Sequence, residues 1–297
     1  MRSELSQKVE ASIARLKTFC PDEGYYLAFS GGKDSVVIKA LAQMAGVKYD
    51  AHYHVTSVDP PELVRFVLDQ HKDVSFDIPH YDDGKPITMW NLIPKHSMPP
   101  TRVVRYCCDF LKERGGENRR IVTGVRWAES ARRAANRGEV EIWNTKKKEM
   151  PDLPRNKNGI IILNNDNDDN RREIEHCFKK NRWIVNPIIE WDDRDVWDFI
   201  RGESIPYCGL YDDGMTRLGC IGCPLGGRKK MLKEFARYPK YKEAYLRAFG
   251  KMIEERKRRE LPCALETPEE VFAWWVREPN APEQISMEEL MEGMTDA

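Results

Sequence analysis

The run Tyr25–Phe29, followed at once by Ser30-Gly31-Gly32-Lys33-Asp34-Ser35, constrains the fold more than any other stretch of this chain. An apolar strand feeds a Gly-Gly turn, and the apolar pattern from Asp34 to Ala45 then begins a helix. The two glycines accept positive φ and let backbone N–H groups approach an anion closely. The helix behind them directs its positive N-terminal end at the same point. Lys33 adds a full charge, and Ser30 and Ser35 add hydroxyls. The spacing is not that of the Walker loop, which places four residues between its first glycine and the Gly-Lys pair. All six positions suit one ligand, so a phosphate site is preferred over a plain turn with a surface lysine.

The rest of the first half alternates in the same way. Strand chemistry is expected over Asp50–Ser57, Val74–Ile78, Arg120–Val125 and Trp183–Ile189, with a helix from Glu62 to His71. Alternation of this kind predicts an α/β fold, a doubly wound and mostly parallel sheet. Its ligands are expected outside the carboxyl ends of the strands, where Ser30, Asp59 and Gly124-Val125-Arg126 fall. Between Asn144 and Arg172 the pattern dissolves into polar residues, a cover over the site or an idle insertion. Beyond Arg228 the chain reads as helical: Lys229 to Arg258, Thr267 to Trp275 after a proline break, and Ser286 to Met294. Thr267-Pro-Glu-Glu270 has the residues of a helix start. The expected division is a nucleotide-binding α/β domain over residues 1–235 and a helical extension over 236–297.

Lys plus Arg equals Asp plus Glu at 48 each, so no global field points to nucleic acid. Locally, ten basic residues oppose four acids between Arg102 and Arg137. Arg105, Arg126 and Lys229 lie beside motifs and suit oxyanions, whereas Arg132, Arg133 and Arg137 read as a solvated helix face. No apolar stretch has the length of a membrane span, and the N-terminus reads as an amphipathic helix rather than a leader. A cytoplasmic protein without membrane contact is expected, its eight cysteines serving as thiols or ligands.

Four of those cysteines form two pairs, Cys107-Cys108 and Cys220-Ile-Gly-Cys223. A CxxC turn can place two thiolates on one ion, and a second pair completes a four-sulfur shell. Adjacent cysteines strain a single-ion site, which favours a [4Fe-4S] cluster over zinc. Cys20, Cys177 and Cys263 read as packing thiols, and Cys208 is open between packing, ligation and sulfur carriage. His52 and His54 read as strand residues.

Together the SGGKDS loop and the CC…CxxC spacing resemble the PP-loop ATP pyrophosphatases and the phosphoadenosine phosphosulfate reductase family. Thr123-Gly-Val-Arg126 with Glu129-Ser130 is similar to the segment that contacts nucleotide phosphates or sulfate in that family. Asn186 to Trp191 with Asp195-Val196-Trp197 resembles an architectural segment, and Ile205 to Cys220 the stretch that delivers the second cysteine pair. The resemblance implies an adenine nucleotide alpha-hydrolase-like fold. Pro60-Pro61-Glu62 and Pro99-Pro-Thr-Arg102 look most like the adenylating subunit of DNA phosphorothioation systems. The C-terminal E-C-G-L-H segment of assimilatory reductases has no counterpart, since the late cysteine sits in Leu261-Pro-Cys-Ala-Leu-Glu266.

The expected activity is therefore ATP pyrophosphatase chemistry that adenylates an acceptor for sulfur transfer. Lys33, Asp34, Asp59 and Arg126 are the expected catalytic residues, with Ser30 to Ser35 and Gly124 holding ATP and an aspartate placing Mg²⁺. The resemblance implies a cysteine desulfurase partner and leaves the acceptor as DNA, RNA or a small molecule. Two rivals stand beside this reading. One is an adenylyl-sulfate or phosphoadenylyl-sulfate reductase, and the other a non-catalytic nucleotide- or nucleic-acid-binding subunit with structural zinc.

Overall fold

The computed structural model describes residues 3–143, 155–163 and 182–277. The expected helix Ser286–Met294, Cys177 and most of the polar stretch after Asn144 lie outside these residues. Two compact units are present. The first comprises Met1–Tyr53, Pro61–Asp77 and Gly115–Leu218; the second His54–Pro60, Ile78–Arg114 and Gly219–Ala297.

The first unit is built on a seven-stranded sheet. Its strands are β1 (Tyr25–Ala28), β2 (Tyr49–His54), β3 (Val74–Asp77), β4 (Arg120–Val122), β5 (Val140–Trp143), β6 (Ile161–Leu163) and β7 (Arg182–Val185), in spatial order β3-β2-β1-β4-β7-β5-β6. β2, β1, β4 and β7 run parallel, while β5 lies antiparallel to both β7 and β6. The sheet is thus doubly wound and mostly parallel, as the alternation predicts. The chain moves outward from β1 to β3 and then returns to β4 on the other side. In open α/β sheets ligands bind outside the carboxyl ends of the strands on either side of such a reversal, here β1 and β4.

Helices α1 (Ser3–Thr18), α2 (Lys33–Ala45), α3 (Pro61–Gln70), α6 (Ala131–Asn136) and α7 (Asp193–Gly202) complete this unit. Tyr25, Leu27, Val37, Ile38 and Val122 are sealed between sheet and helices. Tyr25 Oη donates to Leu16 O at 2.9 Å, tying α1 to β1. All four expected strands are shorter in the structure. β7 stops at Val185 because Pro187 cannot donate to a ladder, although Ile188 and Ile189 are fully buried in the following turn. Conversely, Ile161–Leu163 pairs with β5 inside a stretch whose polar composition masks it.

The second unit holds α4 (Met89–His96), α5 (Tyr106–Leu111), α8 (Gly227–Arg237), α9 (Pro239–Arg258) and α10 (Pro268–Trp275). Its core joins Val58, Leu92, Ile221 and Phe249 to the aromatic group Phe235, Tyr245 and Trp275. The helical run expected over Lys229–Arg258 breaks at Tyr238, whose φ of −121° and ψ of 66° leave the helical region ahead of Pro239. Proline lacks the N–H and crowds its predecessor out of the α conformation. The Thr267–Glu270 capping box forms as its residues predict. No helix among the described residues is long and apolar enough to cross a membrane.

Candidate functional site

The loop after β1 is shaped by what its glycines leave out. Gly31 has φ +71°, and a Cβ there would sit 2.7 Å from Leu63 Cδ1 and 2.8 Å from Val67 Cγ2. No side chain fits both constraints. Gly32 is extended (φ −78°, ψ 162°) and precedes α2. Ser35 Oγ donates to Gly32 O at 2.8 Å, so this hydroxyl braces the turn. Gly124, beyond β4, is closely approached as well, since a Cβ would lie 3.0 Å from Asp34 Cβ.

Four charged side chains close around this turn. Arg126 is 2% exposed and spends its guanidinium on three acceptors. Nε donates to Asp34 Oδ1 at 2.7 Å, one terminal nitrogen to Asp193 Oδ1 at 2.7 Å, and the other to Trp191 O at 3.2 Å. Lys33 is 7% exposed, its ammonium 3.5 Å from Asp34 and 3.4 Å from Asp193. Lys33 is therefore an interior group, not the exposed lysine that a loop position implies. Burial opposes the charge on Asp193, but the bond from Arg126 and the field of Lys33 prevail and hold its carboxyl below the ordinary range. Two cations and two carboxylates thus balance at the N-terminal end of α2.

The second unit gathers the paired cysteines. Cys107 and Cys108 open α5, while Cys220 and Cys223 flank Gly222 at φ +73°. A Cβ on Gly222 would lie 2.5 Å from Phe235 Cζ. Tyr245 Oη donates to Ile221 O at 3.0 Å and Gly222 N to Glu234 Oε2 at 2.9 Å, so the CxxC turn is held from both sides. All four thiols are free. The Cys107 thiol donates to Cys108 and is pushed up by that bond, by burial and by the charge of the other three sulfurs. Cys108 moves down, through the same bond and through Arg105 and Lys112. Lys112 is raised by the charges of Cys220 and Asp59. Four mutually interacting thiols with two cations are the right donor chemistry for a sulfur-bound ion or cluster. As the side chains stand, no group of three or more His, Cys, Asp or Glu among the described residues is arranged to hold a metal ion. Asp59 belongs to this unit too, its carboxylate accepting from Thr56 N at 3.1 Å.

The sequence model for the phosphoadenosine phosphosulfate reductase domain matches residues 24–225, from the start of β1 to just past the second cysteine pair. The chain belongs to this family of enzymes. Two uncharacterised proteins of Methanocaldococcus jannaschii are related to it. One is 26% identical over 264 residues, 86% of this chain and 53% of its own length. The other is 25% identical over 237 residues, 75% and 42% respectively. The chain spans about half the length of these curated relatives. Among solved structures, the phosphate complex of phosphoadenylyl-sulfate (PAPS) reductase from Candida auris aligns at 14% identity, covering 74% of this chain and 96% of that one, with a TM-score of 0.42.

Within this family member the structure brings Lys33, Asp34, Gly124 and Arg126 together, and places Asp59 in the other unit with the four cysteines. Cys208 is buried in the first unit beside Leu63 and Leu210. Two site residues escape the sequence reading, Asp193 and Tyr211. Asp193 hides in Trp191-Asp-Asp-Arg-Asp195, where its neighbours Asp192 and Asp195 form a capping box and account for the acidic run. Tyr211 lies in the Ile205–Cys220 stretch read as delivering the second cysteine pair, yet its hydroxyl accepts from Lys33 N at 2.8 Å.

Proposed function

We propose that the chain is an ATP pyrophosphatase that adenylates an acceptor in a sulfur-transfer reaction of the thiolation or phosphorothioation type. The observation that carries the reading is the Lys33–Asp34–Arg126–Asp193 arrangement against a glycine turn at the switch point of the sheet. Backbone N–H groups from Gly31 to Asp34 and the Lys33 ammonium take the β- and γ-phosphates. An oxygen of the acceptor attacks the α-phosphorus, the bond to the bridging oxygen breaks, and pyrophosphate leaves held by the same donors, which stabilise its charge. A sulfur nucleophile then displaces AMP from the adenylated acceptor. Mg²⁺ would neutralise the phosphate oxygens. Asp34, which Arg126 holds at 2.7 Å, is the carboxylate proposed to orient it.

Cys107, Cys108, Cys220 and Cys223 are proposed to hold an iron–sulfur cluster, with zinc as the alternative, and Arg105 and Lys112 to offset its thiolate charge. A cysteine desulfurase is the proposed sulfur donor. The acceptor is proposed to carry phosphate, as nucleic acid does. On α8, Arg228, Lys229 and Lys233 have no acidic partner among the described residues, while the helix's one acid, Glu234, is buried and bonded to Gly222 N.

The family match favours one other reading, reduction of an adenylyl sulfate. Parallel assays separate the two. AMP and pyrophosphate from ATP support the proposal; sulfite from adenylyl sulfates, with ATP left intact, overturns it in favour of the reductase.

A further inference from the structure

Both groups of Lys33 that a phosphate would need are already met by oxygens of the chain itself. Its ammonium lies 3.4 Å from Asp193 Oδ1. Its backbone N–H donates to Tyr211 Oη at 2.8 Å, from 178 residues away. The second contact is unusual for its place. The first N–H groups of a helix have no intrahelical acceptor and are ordinarily met by a capping side chain, water or a ligand. α2 has no side-chain cap of its own, and the Tyr211 hydroxyl supplies one.

The placement of that hydroxyl is built rather than incidental. Tyr211 ends a short 3-10 turn, Gly209–Tyr211. Cys208 and Leu210 anchor this turn against Leu63. Leu63 is also the side chain that a Cβ at Gly31 would strike, so the floor of the loop and the Tyr211 turn rest on one residue. Gly32 leaves room on the other side, where a Cβ would lie 3.4 Å from Tyr211 Oη. Trp197, one turn beyond Asp193 on α7, meets the Tyr211 ring edge-on at 5.1 Å. Burial holds the Tyr211 hydroxyl in its neutral form well above the usual phenol range. The oxygen therefore competes for the N–H as a weak neutral acceptor, which a charged phosphate oxygen outbids.

We propose that Tyr211 is an internal stand-in for a phosphate oxygen, capping the loop when no ligand is bound and displaced when a pyrophosphate-bearing nucleotide enters. This rests on the reading that the loop binds phosphate. The hydroxyl sets the affinity of the site by competition, and its ring carries the displacement to Trp197.

Pyrophosphate is the probe. It is titrated calorimetrically into the wild-type chain, Tyr211→Phe and Lys33→Ala, and tryptophan emission is followed in the wild type and in Trp197→Phe. Removing one neutral competitor should tighten pyrophosphate binding about two- to tenfold in Tyr211→Phe. Emission should change on binding in the wild type, and the change should vanish in Trp197→Phe. Should Tyr211→Phe fail to fold, the emission arm decides alone. Unchanged or weaker binding in Tyr211→Phe, or emission indifferent to saturating pyrophosphate, overturns the displacement while loss of binding in Lys33→Ala still upholds the loop. If the wild type and Tyr211→Phe both fail to bind pyrophosphate, the phosphate-loop reading and the displacement fall together.

Discussion

Arg126 Nε and Asp34 Oδ1, 92 residues apart in sequence, meet at 2.7 Å across the carboxyl ends of two adjacent parallel strands. Arg126 was expected to touch phosphate directly. In the structure three of its five N–H donors go to Asp34, Asp193 and Trp191 O, so it also holds the loop's carboxylate in place.

Arg126→Met removes the cation and leaves Asp34 and Asp193 beside each other with Lys33 alone. Arg126 is buried but Asp34 and Asp193 keep access to solvent, so the loss should fall below the roughly 3–5 kcal/mol of a fully buried pair. Urea unfolding should show that loss, and Arg126→Lys should recover only part of it, because a lysine cannot reach three acceptors in one plane.

Gly31→Ala should cost more than positive φ alone accounts for. The left-handed conformation costs roughly 1–2 kcal/mol for a residue with a Cβ, and here Leu63 and Val67 must also move. Gly84→Ala is the comparison, since Gly84 has φ +80° with nothing within 4 Å of a Cβ. A larger fall in unfolding midpoint for Gly31→Ala, together with lost pyrophosphate binding, is expected; equal falls would remove the steric argument.

His71 makes stability depend on pH. It is 6% exposed and its Nδ1 lies 3.1 Å from Lys39 Nζ. Burial first and the Lys39 charge second bring it down to about 4, against a smaller opposing pull from Asp73. The unfolded chain thus binds this proton more readily than the folded one. The contribution is complete above about pH 6.5 and is lost as pH falls toward 4, roughly 3 kcal/mol in all. Denaturation midpoints measured between pH 7 and 4 should fall steeply in the wild type and flatten in His71→Phe.

Cys220→Ser should strip bound metal from anaerobically purified protein, and iron with matching sulfide and visible absorbance should be what is lost. Zinc in the wild type would replace the cluster with a structural ion. Unchanged metal in Cys220→Ser would refute the pairing of Cys107-Cys108 with Cys220 and Cys223.

What the sequence revealed was what local chemistry writes down. The loop from Ser30 to Ser35, the helix after it, the Thr267 cap and the parallel core all follow from patterns within a few residues. Ile161–Leu163 was hidden because three apolar residues in a polar stretch form a strand only once β5 is there to pair with them. The break at Tyr238 was missed although Pro239 announces it, since the apolar pattern continues on both sides. Asp193 and Tyr211 reach Lys33 through the tertiary fold, and no periodicity or spacing marks such contacts. The burial of Lys33 is likewise tertiary, and the two carboxylates beside it offset its charge.

The most direct test is which bond of ATP is cut in a single turnover. Anaerobically purified protein in excess over ATP and Mg²⁺, with a phosphate-bearing acceptor, is quenched and its nucleotides and phosphates are separated. AMP and pyrophosphate in equal amounts, abolished in Lys33→Ala, are the predicted products. ADP and orthophosphate would place the cleavage between the β- and γ-phosphates and contradict the adenylating chemistry assigned to this loop.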